Sequence, residues 1–179
     1  MALNVQDFAS NFKGGYRPSQ FRVLMSFPTW VATGAAAVLQ TPFLVQSTSL
    51  PGSTITPINV PYRGRMFKYA GDRTFAPWNI TILADTDFVL RNAFEAWVNG
   101  MNDSETSQGR LRASEYWSKA YVHALDRQDK ILYAYELNNI FPTDISEMGV
   151  GHEMTDQMGT FTVALEIGYF ISLGNVAAF

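Results

Sequence analysis

The sequence predicts a mainly β protein, an antiparallel β-sandwich or barrel with one flanking α-helix. Three observations carry that reading. Several segments alternate apolar and polar residues with the period of two that a half-buried strand requires. Only one segment carries a clear apolar stripe at helical spacing. The 179 residues are 47% hydrophobic and 14% aromatic, enough to build a core and too apolar for a disordered chain. No internal repeat, low-complexity tract or long linker divides them, so residues 1–179 read as a single domain.

A short helix is expected from Val5 to Phe12, ahead of Gly14-Gly15. Phe21, Val23, Met25 and Phe27 alternate with Arg22, Leu24 and Ser26 as the first strand. Phe43, Val45 and Ser47 continue in that style until Leu50-Pro51-Gly52 makes a turn. Ser53 to Val60 is rich in β-formers but punctuated by Pro57 and Pro61, which suits an edge strand or extended loop. Trp78, Ile80 and Ile82 form the next strand.

The helix spans about Thr86 to Asn99. Leu90, Phe94, Trp97 and Met101 give its stripe, Asp85 or Thr86 its cap, and Gly100 a left-handed stop. Asp87 suits the positive end of its dipole. Asn102 to Ser114 and Met148 to Gly159 read as exposed loops. Tyr121 to Leu125 and Ile131 to Leu137 make a hairpin across Asp126–Lys130. The clearest strand closes the chain, with Phe161, Val163, Leu165, Ile167 and Tyr169 on one face.

Charge is unevenly distributed. Residues 1–84 hold seven basic and two acidic side chains, residues 85–130 six and eight. Residues 131–179 hold six acids and no Lys or Arg. The formal net charge of −3 and pI near 5.3 argue against a protein that grips nucleic acid or an anionic membrane by overall charge. The two poles either neutralise each other within one molecule or join one copy to the next, head to tail. The local basic cluster is Tyr62 to Arg73, with Arg63, Arg65, Lys68 and Arg73 offset by Asp72. Mixed with Tyr62, Phe67 and Tyr69 it could contact nucleic acid. Pairing with the acidic third of a neighbouring subunit fits the balance of charge better.

Chemistry is thinly represented. Without cysteine there is no disulfide, thiolate zinc site, iron–sulfur cluster or cysteine nucleophile. His123 sits inside a strand pattern and reads as structural. His152, with Glu153 and Asp156, lacks the second histidine of a zinc helix and reads as part of a solvated acidic loop. No nucleophile elbow, phosphate loop or dinucleotide fingerprint occurs. The expectation is therefore no enzyme, no cofactor and no metal. Trp30 to Leu39 is half the length of a membrane helix, and Met1 to Ala9 has no signal-peptide pattern, so a product soluble when made is expected.

The run Tyr69-Ala70-Gly71-Asp72-Arg73-Thr74-Phe75-Ala76-Pro77-Trp78, followed by strand and helix, resembles the tail tube proteins of contractile-tailed bacteriophages. The turn at Leu50-Pro51-Gly52, helix residues Phe94 and Trp97, the turn Phe141-Pro142-Thr143-Asp144 and the strand Phe161–Tyr169 extend the likeness over about two-thirds of the chain. Pro28 to Gln40, longer and richer in alanine, and Ile171 to Phe179 depart from the pattern.

The resemblance implies a virion protein, assembled in the host cytoplasm, whose hexameric rings share an inner β-barrel and stack into a tube. It implies as partners further copies of the chain, a tail sheath protein, and baseplate tube-initiator and tail terminator proteins. DNA would pass through the lumen without specific binding. Asp72 and Arg73 are expected to form a structural or inter-ring ion pair, or else to fix a turn before Trp78. Arg63, Arg65 and Lys68 are expected to face Glu147, Glu153 and Asp156 of the next ring. The alternatives are a tube or tube initiator of another contractile injection system, or a monomeric barrel that binds a small ligand.

Overall fold

The computed structural model describes residues 4–12 and 14–174. In chain order its elements are α1 (Val5–Asn11), β1 (Phe21–Met25), α2 (Gly34–Leu44), β2 (Val45–Thr48), β3 (Ser53–Tyr62), β4 (Arg65–Phe75), β5 (Trp78–Leu83), α3 (Val89–Met101), α4 (Ala113–Tyr116), β6 (Ser118–Leu125), β7 (Ile131–Ile145), β8 (Thr160–Glu166) and β9 (Tyr169–Gly174). All strand pairs are antiparallel. The fold is mainly β with a few helices, as the alternation predicts.

Seven strands pair in the order β1-β6-β7-β8-β5-β2, with β9 added alongside β7. The fifteen-residue β7 belongs to both halves of this sheet. Its first part pairs with β6 and β9, and its last part pairs with β8. The change-over falls at Asn139, which adopts a left-handed φ of 56° that asparagine tolerates. Opposite it, Gly168 carries the chain from β8 to β9. A Cβ there would lie 2.8 Å from that of Asn139.

Between the two halves lies one cluster of buried side chains. Val23 and Met25 of β1, Trp78, Ile80 and Ile82 of β5, and Phe161, Val163 and Leu165 of β8 supply the strand side. Leu90, Ala93, Phe94 and Trp97 of α3 supply the helix side. Phe27 meets Phe94 and Trp97 edge-on at 5.2 and 5.5 Å. The interior is thus filled by side chains rather than shaped as a ligand chamber, against the barrel-binder alternative.

Several expectations need correction. Phe43 lies in the last turn of α2, not in a strand, and is 82% exposed. The alanine-rich segment is helical because alanine has the best helix propensity, although its stripe is weak. Helix α3 starts at Val89, because the Phe88 N–H donates to the Asp85 carbonyl at 3.0 Å, closing a turn there, and Phe88 takes a left-handed φ of 50° just before the helix. Gly100 lies inside α3 rather than ending it in a left-handed conformation. Phe141 to Asp144 belongs to β7, with a bulge between Pro142 and Asp144. Tyr169 belongs to β9, so the strand beginning at Phe161 is not the last. Of the expected extension Ile171–Phe179, residues 171–174 complete β9 and 175–179 lie outside the described residues.

Candidate assembly surfaces

The long connection between β2 and β5 is a two-stranded hairpin, β3–β4, separate from the main sheet. Its turn is Arg63-Gly64, with φ of 46° and 77°, the two positive values of a type I′ turn. Tyr62 pairs with Arg65, Val60 with Phe67 and Ile58 with Tyr69. Partners in register share a face, so Ile58, Val60, Tyr62, Phe67 and Tyr69 form one largely apolar face, with Arg65 at its tip. The five apolar side chains are 42–61% exposed. The other face carries Asn59, Pro61, Met66 and Lys68. At the root, Phe75 meets Phe170 edge-on at 5.4 Å and ties the hairpin to the body. A two-stranded ribbon with no covered face is marginal in water. This one leaves its apolar face exposed on the subunit.

The family-like run lies on β4, where the β3–β4 register shifts between Ile55 and Pro57. A side chain at Gly71 would collide with the Thr56 carbonyl, so the close approach at this bulge requires glycine. Asp72 and Arg73 are consecutive strand residues and leave opposite faces. No ion pair joins them among the described residues; both are strand residues of β4, and the break before Trp78 falls after them, at Ala76-Pro77.

Glu153 and Asp156 lie in the loop expected from Met148 to Gly159, and Glu147 just ahead of it, all in the exposed connection between β7 and β8. Thr160, which ends that loop, pairs with Leu83, and the Ala84 N–H donates to the Gly159 carbonyl at 2.8 Å. The loop therefore sits at the Leu83 end of β5, whereas the hairpin leaves from the Trp78 end. Strand β5 separates them by roughly 17 Å at the usual rise per residue. Asp85 and Asp87 add to the acidic end. The Arg91 guanidinium reaches this end, where it is engaged by Glu95 at 2.8 Å and donates to the Ser146 carbonyl at 3.3 Å.

The ion pairs among the described residues are Arg91–Glu95, Arg110–Glu115 and Lys119–Glu136. None of them uses a hairpin cation or an acid of the β7–β8 loop. The structure groups Arg63, Arg65 and Lys68 on the hairpin, and Glu147, Glu153 and Asp156 at the far end. It does not bring the two groups together within one subunit.

The two faces turned away from the core differ in chemistry. On the β1-β6-β7-β9 half, Arg22, Lys119, His123 and Glu136 are outward. On the β2-β5-β8 half the outward positions Ser47, Asn79, Thr81, Thr160, Thr162 and Ala164 are polar or small and uncharged, and Leu83 adds an apolar side chain at the loop end. Glu166 and Asp144 at its margin are acidic, and no Lys or Arg lies on these strands.

His123 is half-buried, and burial together with the Arg22 guanidinium opposite it lowers its pKa. His152 is exposed. Among the described residues no group of three or more His, Asp or Glu side chains stands close enough to hold a metal.

Sequence reasoning missed the apolar face of the hairpin and the uncharged face of β2-β5-β8. The first had a signal, since Ile58, Val60 and Tyr62 alternate up to a two-residue turn containing glycine. Pro57 and Pro61 masked it, but in a ribbon both strands are edges, where proline is tolerated.

A family model described as phage tail tube protein matches residues 16–171. The tail tube protein of Serratia phage KSP90 is 26% identical over 162 residues, 90% of each chain. The tail tube protein gp19 of Enterobacteria phage T4 is 27% identical over 171 residues, 93% of this chain and 98% of the relative. Among solved structures, a chain of the six-fold symmetrised anti-feeding prophage baseplate superposes with a TM-score of 0.67 at 15% identity. That match covers 91% of this chain and 98% of the other. A chain of the sheath–tube complex of an extracellular contractile injection system gives 0.58 at 13% identity, covering 97% and 99%. These last two likenesses concern the fold.

Proposed function

From the premise that the chain belongs to the phage tail tube protein family, a family of structural virion proteins, we propose that it forms hexameric rings that stack head to tail into the inner tube of a contractile tail. The observation that carries this reading is the separation of charge along β5. The cationic hairpin leaves one end and the cation-free loop lies at the other. A surface whose complement lies at the opposite end of the same molecule repeats along an axis and builds a filament. The exposed apolar face of β3–β4 calls for cover from a neighbouring copy, and the free edges of β1 and β2 offer strand pairing around a ring.

Arg63, Arg65 and Lys68 of one ring face Glu147, Glu153 and Asp156 of the next, with Asp72 and Arg73 making contacts between subunits. The outward face of β2-β5-β8 lines the lumen. Hydroxyls and amides without a cation give phosphates nothing to bind, so DNA slides along such a wall instead of sticking. The sheath protein packs outside the tube, while a baseplate initiator and a terminator close its ends. The presence of similar chains in baseplate, terminating-cap and sheath–tube assemblies supports these partners.

The test is negative-stain microscopy with light scattering on concentrated protein, alone and then seeded with a baseplate extract. Hollow tubes of uniform diameter are expected. A subunit that stays monomeric even when seeded refutes the reading.

A further inference from the structure

The acidic end of the subunit carries more than charge. Where the β7–β8 loop crosses the Leu83 end of β5, an open cleft of about 550 Å³ is lined by Ala84, Phe88, Met148, Met154 and Met158 among others. Met158 is 78% exposed and Val150, also on its wall, 87%. A Cβ on Gly159 would come within 2.8 Å of the Met148 sulfur, so the glycine lets that thioether lie against the backbone. Methionine side chains adapt their shape and make favourable contacts with aromatic rings. Asp85 lies in the cleft lining, and Glu153 and Asp156 belong to its loop.

One exposed feature of the same chain complements this site in both respects. At the hairpin tip the Tyr62 ring is 59% exposed, with the Arg63 guanidinium 5.4 Å from its centroid. Arg65 faces Tyr62 across the turn. An aromatic ring flanked by two cations meets a methionine-lined cleft bordered by acids. Resting on the tube reading above, we propose that the Tyr62 ring of one subunit seats in the β7–β8 cleft of a subunit in the next ring, with Arg63 and Arg65 paired to its acids. Because the root of the hairpin and the cleft lie at opposite ends of β5, a second copy in the same orientation, displaced along the strand, turns the hairpin side of one subunit towards the cleft side of the next. The contact then repeats from ring to ring.

The absence of cysteine makes the test direct. In tubes carrying both Tyr62→Cys and Met158→Cys, mild oxidation should give a ladder of covalent dimers, trimers and longer chains on a non-reducing gel. Each single variant, and the pair Tyr62→Cys with Leu39→Cys, should give none. Tubes of normal yield without a ladder overturn the cleft assignment and leave the tube reading standing. Wild-type protein that never forms seeded tubes removes the tube reading itself. Charge exchange supplies an independent arm should the thiol pair fail to fold. Arg63→Glu with Arg65→Glu should abolish assembly, and adding Glu153→Arg with Asp156→Arg should restore it. Unimpaired assembly of the first pair, or no rescue by the second, also overturns the assignment.

Discussion

The Trp30 indole lies where a side chain on Gly100 would have to be. A Cβ at that helical position would collide with the six-membered ring. The indole is fixed there by its N–H donating to the Glu115 carbonyl at 3.0 Å and by the Arg110 guanidinium 4.2 Å from its ring. Gly100 is thus a packing glycine in α3, not a stop signal. Gly100→Ala gains up to about 1 kcal/mol of helix propensity. It forces a bulky ring from its seat, at about 1–3 kcal/mol for overpacking. A net loss in urea unfolding is expected, and an unchanged midpoint would show that Trp30 moves freely.

Phe94, on the same helix, is fully buried and edge-on to Phe27. Phe94→Ala should cost about 3–5 kcal/mol, the range for emptying an aromatic site in a core. Denaturant unfolding of the unassembled subunit measures it without interference from polymerisation.

Arg73→Glu acts at the other level of organisation. Arg73 is exposed on β4 and joins no ion pair among the described residues, so the subunit should keep its fold and its circular dichroism. Reversing a charge at a contact between copies costs association instead. Seeded tube formation should be lost, and tubes at normal yield would assign Arg73 no part in assembly.

The wall chemistry gives a prediction of its own. Thr162→Lys with Asn79→Lys adds two cations per subunit to the uncharged face of β2-β5-β8. Tubes should still form, but they should retain short DNA fragments, with retention falling steeply as salt rises because phosphate binding releases counterions. Wild-type tubes should pass the same fragments. Equal behaviour of the two would place the lumen on another face.

His123 makes stability depend on pH. Burial and the Arg22 charge lower its pKa in the folded chain, so the neutral ring is the folded form. As pH falls through the ordinary histidine range, near about 6.5, the unfolded chain takes up a proton that the folded one refuses. Stability therefore falls with pH there and levels off below the folded value. His123→Gln should flatten that part of the profile. Superposable profiles for the two proteins would show that His123 contributes nothing to it.

What the sequence determined by itself was local. Alternation over Phe21–Met25, Trp78–Leu83 and Phe161–Leu165 marks residues that the core buries, and the Leu90-Phe94-Trp97 stripe marks the helix that covers them. A buried face writes its period into the chain regardless of what lies across from it. The division of charge between the first and last thirds was legible for the same reason, since it needs only composition.

The tertiary structure alone decided where those charges go. Nothing local says that the β3–β4 hairpin and the loop at Glu147–Asp156 leave from opposite ends of β5. That follows from which strand pairs with which, and Leu83 meets Thr160 only across 77 residues of chain. The change-over of β7 at Asn139 and the loss of any stop at Gly100 are also decided at a distance. Their conformations answer to Gly168 and Trp30, contacts that no window of neighbouring residues contains.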